Sequence, residues 1–458
     1  MIDSIILRTD AYKHTHWKQY PPDTKRVYSY LESRGGKFDD TVFFGLQALL
    51  MRHFEGQVVT DADVLAADRM CQRVFGEHGS KYLNVDGWYH IIDEHGGKLP
   101  VEIRAVPEGS LVPTGVPMMT VVNTDEKVPF ITNFIESHLL HVWYPCTVAT
   151  LSYHIRMNMQ YYASRMREDV SPVMLNDFGF RGVSSLESAG MGGMAHLLSF
   201  IGTDNIYAMD YARRYYGGDV VGVSVPAAEH STVTSWGQGN EQMAYFNIMK
   251  AYPDNAMVSI VCDSYDTINA VEHIFGDILY ETVTHRDGGV IILRPDSGNP
   301  PVMLAHVLAI LARKFGFTVN DAGYKVLYPH VRVIYGDGIN YESIDEILRS
   351  VCVEGKWAMQ NFVFGMGGAL LQQVNRDTQR FAFKCSAVQR NSAWAGVCKN
   401  PITDLGKRSK AGLVGAGHND DGWYCTSHDD EKHMPVVFRD GSVTSIQSFD
   451  DIKKNLWG

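Results

Sequence analysis

The 458-residue sequence lacks any apolar run near the roughly 20 residues a membrane-spanning helix requires. Its longest apolar stretch, Val302 to Ala312, is interrupted by His306. Met1 to Leu7 has neither a basic flank nor a small-residue cleavage site, so no standard secretory signal is expected. Paired cysteine spacing is missing too. The seven cysteines, Cys71, Cys146, Cys262, Cys352, Cys385, Cys398 and Cys425, include no C-x-x-C, so neither a disulfide framework nor a zinc site is indicated. Basic charge is in deficit, 41 Lys and Arg against 52 Asp and Glu, or 41 − 52 = −11. That balance excludes broad attraction to nucleic acid or anionic lipid, and an anionic substrate needs a local basic pocket. Low-complexity tracts, heptads and close repeats are absent. The expectation is a cytoplasmic protein that binds neither nucleic acid nor membrane.

The composition is that of a globular chain, 45% apolar and 20% charged. Its length allows about three domains, or one large barrel carrying an extra layer. The second half repeats a pattern. Val258 to Val261 reads as a strand ending in Cys262 and Asp263, followed by a helical stretch from Thr267 to Phe275. Val290 to Leu293 ends in Arg294 and Asp296 before a helix over about 302–315. Val331 to Tyr335 precedes Gly336, Asp337 and Gly338 and a helix around 342–351; Phe362 to Phe364 precedes Gly365, Gly367, Gly368 and a helix over 370–374. Buried strands alternating with helices imply parallel β-α units, and polar residues just after successive strands imply one shared ligand face. The α/β fold that fits best is a (β/α) barrel, with an open doubly wound sheet as the structural competitor. Leu99 to Asn123 alternates apolar residues with Pro and Gly turns as an antiparallel layer does, and a helical stretch over about 129–162 follows. The expected domains are an α+β domain of residues 1–165 and 387–458 and a barrel domain of 166–386.

Four constellations carry candidate chemistry. In RPDSGNP, Arg294 to Pro300, a guanidinium and a carboxylate suit a sugar phosphate, unless they close their own loop as an ion pair. In YGDG and FGMGGALL, glycines at strand-to-helix turns either bring backbone N–H groups to a phosphate or serve tight geometry alone. NDFGFRG, Asn176 to Gly182, with Asp204 one β-α step later, offers an aromatic, a cation and a carboxylate for a small polar heteroaromatic ring; a core Phe178 and an Arg181 to Asp204 pair are the alternative. In SVPAAEHST, His230 follows Glu229, a neighbouring carboxylate able to orient a reactive imidazole. Late basic residues, Arg376, Lys384, Lys407, Arg408 and Lys410, form a local cluster or a solvated face.

TDAYKHTHWKQYPP, VYSYLESR, NDFGFRGVSS, VPAAEHST, CDSYD, RPDSGNP, GDG, FKCS and GKRSK, in this order over nearly the whole chain, resemble the nicotinamide phosphoribosyltransferases, a type II phosphoribosyltransferase family. The resemblance implies an irregular α/β barrel with an antiparallel α+β domain built from both chain ends, and a homodimer sharing two active sites. It implies synthesis of nicotinamide mononucleotide and pyrophosphate from nicotinamide and 5-phosphoribosyl pyrophosphate in NAD salvage. Nicotinate phosphoribosyltransferase and a catalytically silent binding protein are the alternatives.

By the same resemblance, Phe178 and a partner's Tyr12 sandwich the pyridine ring, Asp204 receives its amide, and Arg181 and Ser259 complete the pocket. Arg294 holds the 5-phosphate with Gly367 and Gly368, while Asp296, Gly336 and Asp337 contact the ribose. Arg34, Arg376, Lys384 and Lys407 match residues for pyrophosphate and nucleotide phosphates, Asp263 joins the catalytic set, and His230 matches a histidine that ATP phosphorylates. Mg2+ is implied through the substrate's phosphates, with ATP as co-substrate. Asn176 and Phe180 stand where the pattern has His and Tyr, and Met366 and Ala369 replace small residues in the glycine turn.

Overall fold

A computed structural model describes residues 4–219, 221–403, 408–427 and 432–458. The chain forms two compact units, Met1–Thr150 with Ala212–Val220 and Asn375–Gly458, and Leu151–Tyr211 with Val221–Val374.

The first unit rests on a seven-stranded antiparallel sheet in the order Ala393–Gly396, Phe381–Arg390, Thr24–Ser33, Pro117–Asn123, Val101–Ala105, Val436–Arg439, Ser442–Val443. Strands from the N-terminal third occupy the centre and strands from the C-terminal end flank both sides, so the domain is built from both chain ends. Thr24–Ser33 is rich in aromatic and β-branched residues and is buried from Val27 onward, as a central strand covered on both faces must be. Val101–Ala105 instead alternates, burying Val101, Ile103 and Ala105. Phe54, Trp88, Ile91, Phe134 and Phe438 pack into the core with that strand.

The second unit contains a parallel sheet in the order Gly202–Thr203, Leu175–Asp177, Phe362–Met366, Val331–Tyr335, Ile291–Arg294, Val258–Val261. Two further parallel bridges, Gly202 to Val223 and Ala227 to Ser259, join the edges of this sheet through residues 223–228. The barrel thereby closes. Thr203 N donates to Val223 O at 2.9 Å, and Ser259 N donates to Pro226 O at 2.8 Å. Pro226 has no N–H to return to a ladder, so this stave cannot pair as a regular strand. That accounts for the irregular barrel.

Two caps fix where the loops above the strands turn into helices. Asn299 accepts from Val302 N and is followed by Pro300 at the first helical position of Pro300–Phe315. Asn340 forms a capping box with Ser343 at the start of Tyr341–Ile347. The strands expected at 258–261 and 331–335 are found with those bounds, and those expected at 290–293 and 362–364 form Ile291–Arg294 and Phe362–Met366. The helices expected at 267–275 and 342–351 continue as the wider π-turns Ala270–Ile278 and Leu348–Glu354, which apolar spacing does not distinguish from α. The stretch expected over 129–162 is four consecutive helical pieces, ending in Trp143–Met166. Among the described residues, no helix is long and apolar enough to cross a membrane.

Candidate active site

The C-terminal ends of the barrel strands surround a cavity of about 850 Å³. Barrels of this kind carry ligand chemistry at that end because loop residues vary there without disturbing the packed strands. Phe178, Arg181, Asp204, His230, Arg294, Asp296, Gly336, Asp337 and Gly367 all line it, each within a few residues of a strand end or of the closing stave.

Phe178 forms one wall, with backbone N donating to Met366 O at 3.0 Å. Its ring lies so close to the neighbouring strand that a Cβ added at Gly365 would meet ring carbon Cε2 at 2.0 Å; one added at Gly336 would stand 3.6 Å from the same atom. The glycine at 365 therefore exists for close approach. Phe178 is only partly buried and fronts the cavity, unlike a plain core phenylalanine.

Beneath this wall lies Asp177, fully buried and unmarked by sequence reasoning. Its Oδ1 accepts from Gly179 N at 2.7 Å and its Oδ2 from Asn205 Nδ2 at 3.0 Å. One carboxylate thus ties the turn carrying Phe178 to the loop carrying Asp204. Burial raises its pKa to about 6, with the charge of Asp204 adding to the rise and the two hydrogen bonds opposing it. The only sequence signal for Asp177 is its position at a strand end between two residues of the motif.

Asp204 is exposed and accepts from Ser224 Oγ. No ion pair joins it to Arg181, or Arg294 to Asp296, among the described residues. Arg294 Nε is buried with no hydrogen-bond partner. A guanidinium nitrogen in that condition at a cavity wall has a donor to spare for an acceptor. Tyr335 Oη, which donates to Ser297 O at 3.0 Å, holds the turn after Asp296. Burial raises the Asp296 pKa, Arg294 opposes the rise, and Asp263 and Asp337 add to it, so three carboxylates act on one region.

His230 begins the short helix His230–Thr234, its side chain 47% exposed. The carboxylate expected to orient it was Glu229. Instead Glu229 accepts from Ser231 Oγ, and His230 Nε2 lies 3.0 Å from Oδ1 of Asp263, whose side chain is 8% exposed. The strand ending at Val261 delivers Asp263 from 33 residues away, a pairing adjacency in sequence could not reveal.

Ser259 is buried in mid-strand against the closing stave and does not line the cavity; Gly368 opens the helical turn Gly368–Leu371 with nothing within 4 Å of an added Cβ. The other expected residues belong to the first unit. Tyr12 is 55% exposed on the turn Ala11–Lys18. Burial lowers the Lys384 pKa, with Arg34, Lys399 and Arg376 contributing repulsion and Glu136 opposing it, so these cations form one electrostatic group. Arg34 Nη2 is buried without a partner. Lys399 was missed because it stands apart from the basic motifs. Lys407 lies outside the described residues.

Residues 173–442 match the nicotinate phosphoribosyltransferase (NAPRTase) family, and residues 4–103 match the N-terminal domain of nicotinamide phosphoribosyltransferase. Among similar proteins is a nicotinamide phosphoribosyltransferase of Xanthomonas campestris pv. campestris, 47% identical over 90% of this chain and 87% of that protein. One of the same name from Acinetobacter baylyi is 32% identical over 98% of this chain and 96% of its own. Nicotinate-nucleotide pyrophosphorylase from Pyrococcus furiosus shares the fold at a TM-score of 0.62 and 14% identity, over 99% of this chain and 95% of that one. Human nicotinic acid phosphoribosyltransferase does so at 0.54 and 17%, over 98% and 92%. The chain belongs to the nicotinate phosphoribosyltransferase family.

Two outcomes follow from packing and charge alone. Gly365→Ala must displace Phe178 and should cost about 1–3 kcal/mol, read as a lowered Tm, whereas Gly368→Ala, facing open space, should leave Tm nearly unchanged. Asp177 holds its proton more tightly folded, pKa about 6, than unfolded, so wild-type stability falls as pH rises from about 4 to 6 and the loss persists above it. Asp177→Asn cannot titrate. Its Tm relative to wild type should therefore rise between pH 4.5 and pH 7, by the equivalent of about 3 kcal/mol at most; a pH-independent difference would contradict the raised pKa.

Proposed function

We propose that the protein transfers the 5-phosphoribosyl group of 5-phosphoribosyl pyrophosphate to the ring nitrogen of nicotinamide, giving nicotinamide mononucleotide and pyrophosphate for NAD salvage. The observation that carries this reading is Arg294, with a buried guanidinium Nε that has no hydrogen-bond partner, in the same cavity as the Phe178 ring and the Asp204 carboxylate. One side accepts a phosphate and the other a flat ring bearing an N–H donor.

In this reading the pyridine ring stacks on Phe178 and its amide N–H donates to Asp204. Arg294 holds the 5-phosphate, and Asp296 and Asp337 accept from the ribose hydroxyls. The ring nitrogen already carries its lone pair, so no base is required. The bond from that nitrogen to the anomeric carbon forms as the bond to pyrophosphate oxygen breaks. Positive charge developing on the sugar is stabilised by nearby carboxylates, and rate enhancement comes from holding the reactants in line. Asp263, Asp296 and Asp337 offer the hard oxygen donors Mg2+ prefers, so the residues fit that ion, which Asp296 and Asp337 would hold together with the substrate phosphates. Bound there, Mg2+ supplies charge neutralisation for departing pyrophosphate.

ATP is the proposed co-substrate. With Nε2–H donating to Asp263, His230 Nδ1 presents its lone pair to the γ-phosphorus; the N–P bond forms, the bond to the bridging oxygen breaks, and ADP leaves. Asp263 offsets the imidazolium charge. A second copy of the chain supplies Tyr12 to the ring and Arg34, Arg376 and Lys384 to the phosphates, making the working unit a homodimer. The competing substrate, nicotinate, carries a carboxylate that Asp204 repels.

Initial rates with nicotinamide or nicotinate, with and without ATP, test the proposal. Nicotinamide should have a kcat/KM at least about 100-fold higher than nicotinate; a preference for nicotinate would refute it. Replacing Asp204 with Asn removes a charge-assisted bond and a repulsion together, narrowing that ratio by about tenfold or more. His230→Ala should keep slow synthesis while losing both ATP stimulation and acid-labile, base-stable label from γ-labelled ATP. A folded variant that labels like wild type ends the phosphohistidine assignment.

A further inference from the structure

The first unit also brings two histidines and a carboxylate to one point. His90 and His95 lie on the helix Val85–His95, and Asp125 lies in the turn after the strand Pro117–Asn123. His90 Nε2 is 2.7 Å and His95 Nε2 2.8 Å from the same oxygen, Oδ2 of Asp125. One ligand atom from each residue lies within 4.8 Å of the other two. We propose that His90, His95 and Asp125 form a binding site for a borderline divalent cation of the Zn2+ type, clipping the end of the helix to the turn after the strand.

The carboxylate is aimed by its own surroundings. Asp125 Oδ1 accepts from Lys127 N at 2.8 Å, leaving Oδ2 to the histidines, and Asn123 Nδ2 donates to the Asp125 carbonyl at 2.7 Å, fixing the turn. Such outer hydrogen bonds orient metal ligands. Nitrogen and carboxylate donors together select Zn2+ or its neighbours, not Mg2+, which prefers oxygen alone. His95 is the last residue of its helix, before Gly96 at φ 62°, so the negative end of the helix dipole points toward the site. The adjoining surface groove is lined by Lys25, Arg26 and Lys127 against Asp125, Glu126 and Asp440, so no net positive charge opposes a cation. The three side chains are 17–25% exposed, open to ions from solvent.

Binding requires each neutral imidazole to present the Nε2 lone pair. Its proton moves to Nδ1 through solvent, with no oxidant or net proton change. Three protein ligands leave one position of a tetrahedral shell for water. The expectation against zinc drawn from cysteine spacing does not reach this site, which uses no cysteine.

Chelator-stripped full-length protein titrated with Zn2+, then desalted and analysed for metal, tests this. Wild type should retain one Zn2+ lost in the His90→Gln/His95→Gln double variant, and saturating Zn2+ should raise wild-type Tm by about 3 °C with no rise in the variant. Asp125→Asn, which keeps the shape of the turn, should weaken Zn2+ at least tenfold should the double variant misfold. His273→Gln, at an exposed histidine elsewhere, should bind as wild type does, and Mg2+ should not displace the ion. Equal retention by wild type, the double variant and Asp125→Asn, or none by wild type, would overturn the assignment.

Discussion

The site depends on the contact between the Phe178 ring and the glycine backbone of the adjacent strand. Gly365 lets the ring settle where any side chain would collide, and Asp177 beneath it holds the turn through Gly179 N. Because Asp177 also binds Asn205, the ring wall and the Asp204 loop are fixed by one buried carboxylate. Burying that group is costly, which its raised pKa records. The return is a flat wall and a carboxylate in set relation before any ligand enters.

The same cavity also gathers a cation and several carboxylates. Arg294 keeps a buried guanidinium nitrogen without a protein acceptor, while Asp263 and Asp337 act on Asp296 nearby. A cation in want of an anion beside carboxylates in want of donors suits a molecule carrying both phosphate and hydroxyls. In a chain of net charge −11, Arg181 and Arg294 bring two guanidinium groups to a cavity whose other charged lining residues, Asp177, Asp204, Glu229, Asp296 and Asp337, are acidic. Strand ends of a closed barrel allow both halves to face one space, and the caps at Asn299 and Asn340 keep the intervening loops short.

Much of this was legible in sequence for a physical reason. Barrel strands are buried on both faces, so they read as apolar runs, and polar residues at once beyond them mark the ligand end. The antiparallel layer showed in the alternation of Val101–Ala105. Closure was not legible, because residues 223–228 complete the ring through two bridges, with Pro226 preventing a regular ladder. Nor was the partner of His230: adjacency favoured Glu229, while the strand ending at Val261 delivers Asp263 across space. Asp177 lay inside a recognised motif, yet only burial reveals its role. The zinc-type cluster pairs a helix end with a turn 30 residues later, a spacing that carries no motif.

In the proposed reaction, one cavity holds a flat ring on the Phe178 side and a phosphorylated ribose on the Arg294 side. Calorimetric titration of nicotinamide mononucleotide and of free nicotinamide into wild type and Arg294→Gln tests it most directly, because the nucleotide spans both halves and the free base only one. Arg294→Gln should weaken the nucleotide by about 10- to 100-fold, the loss of a charged hydrogen-bond pair, and leave nicotinamide binding unchanged. Nucleotide affinity equal to wild type in that variant would contradict the account.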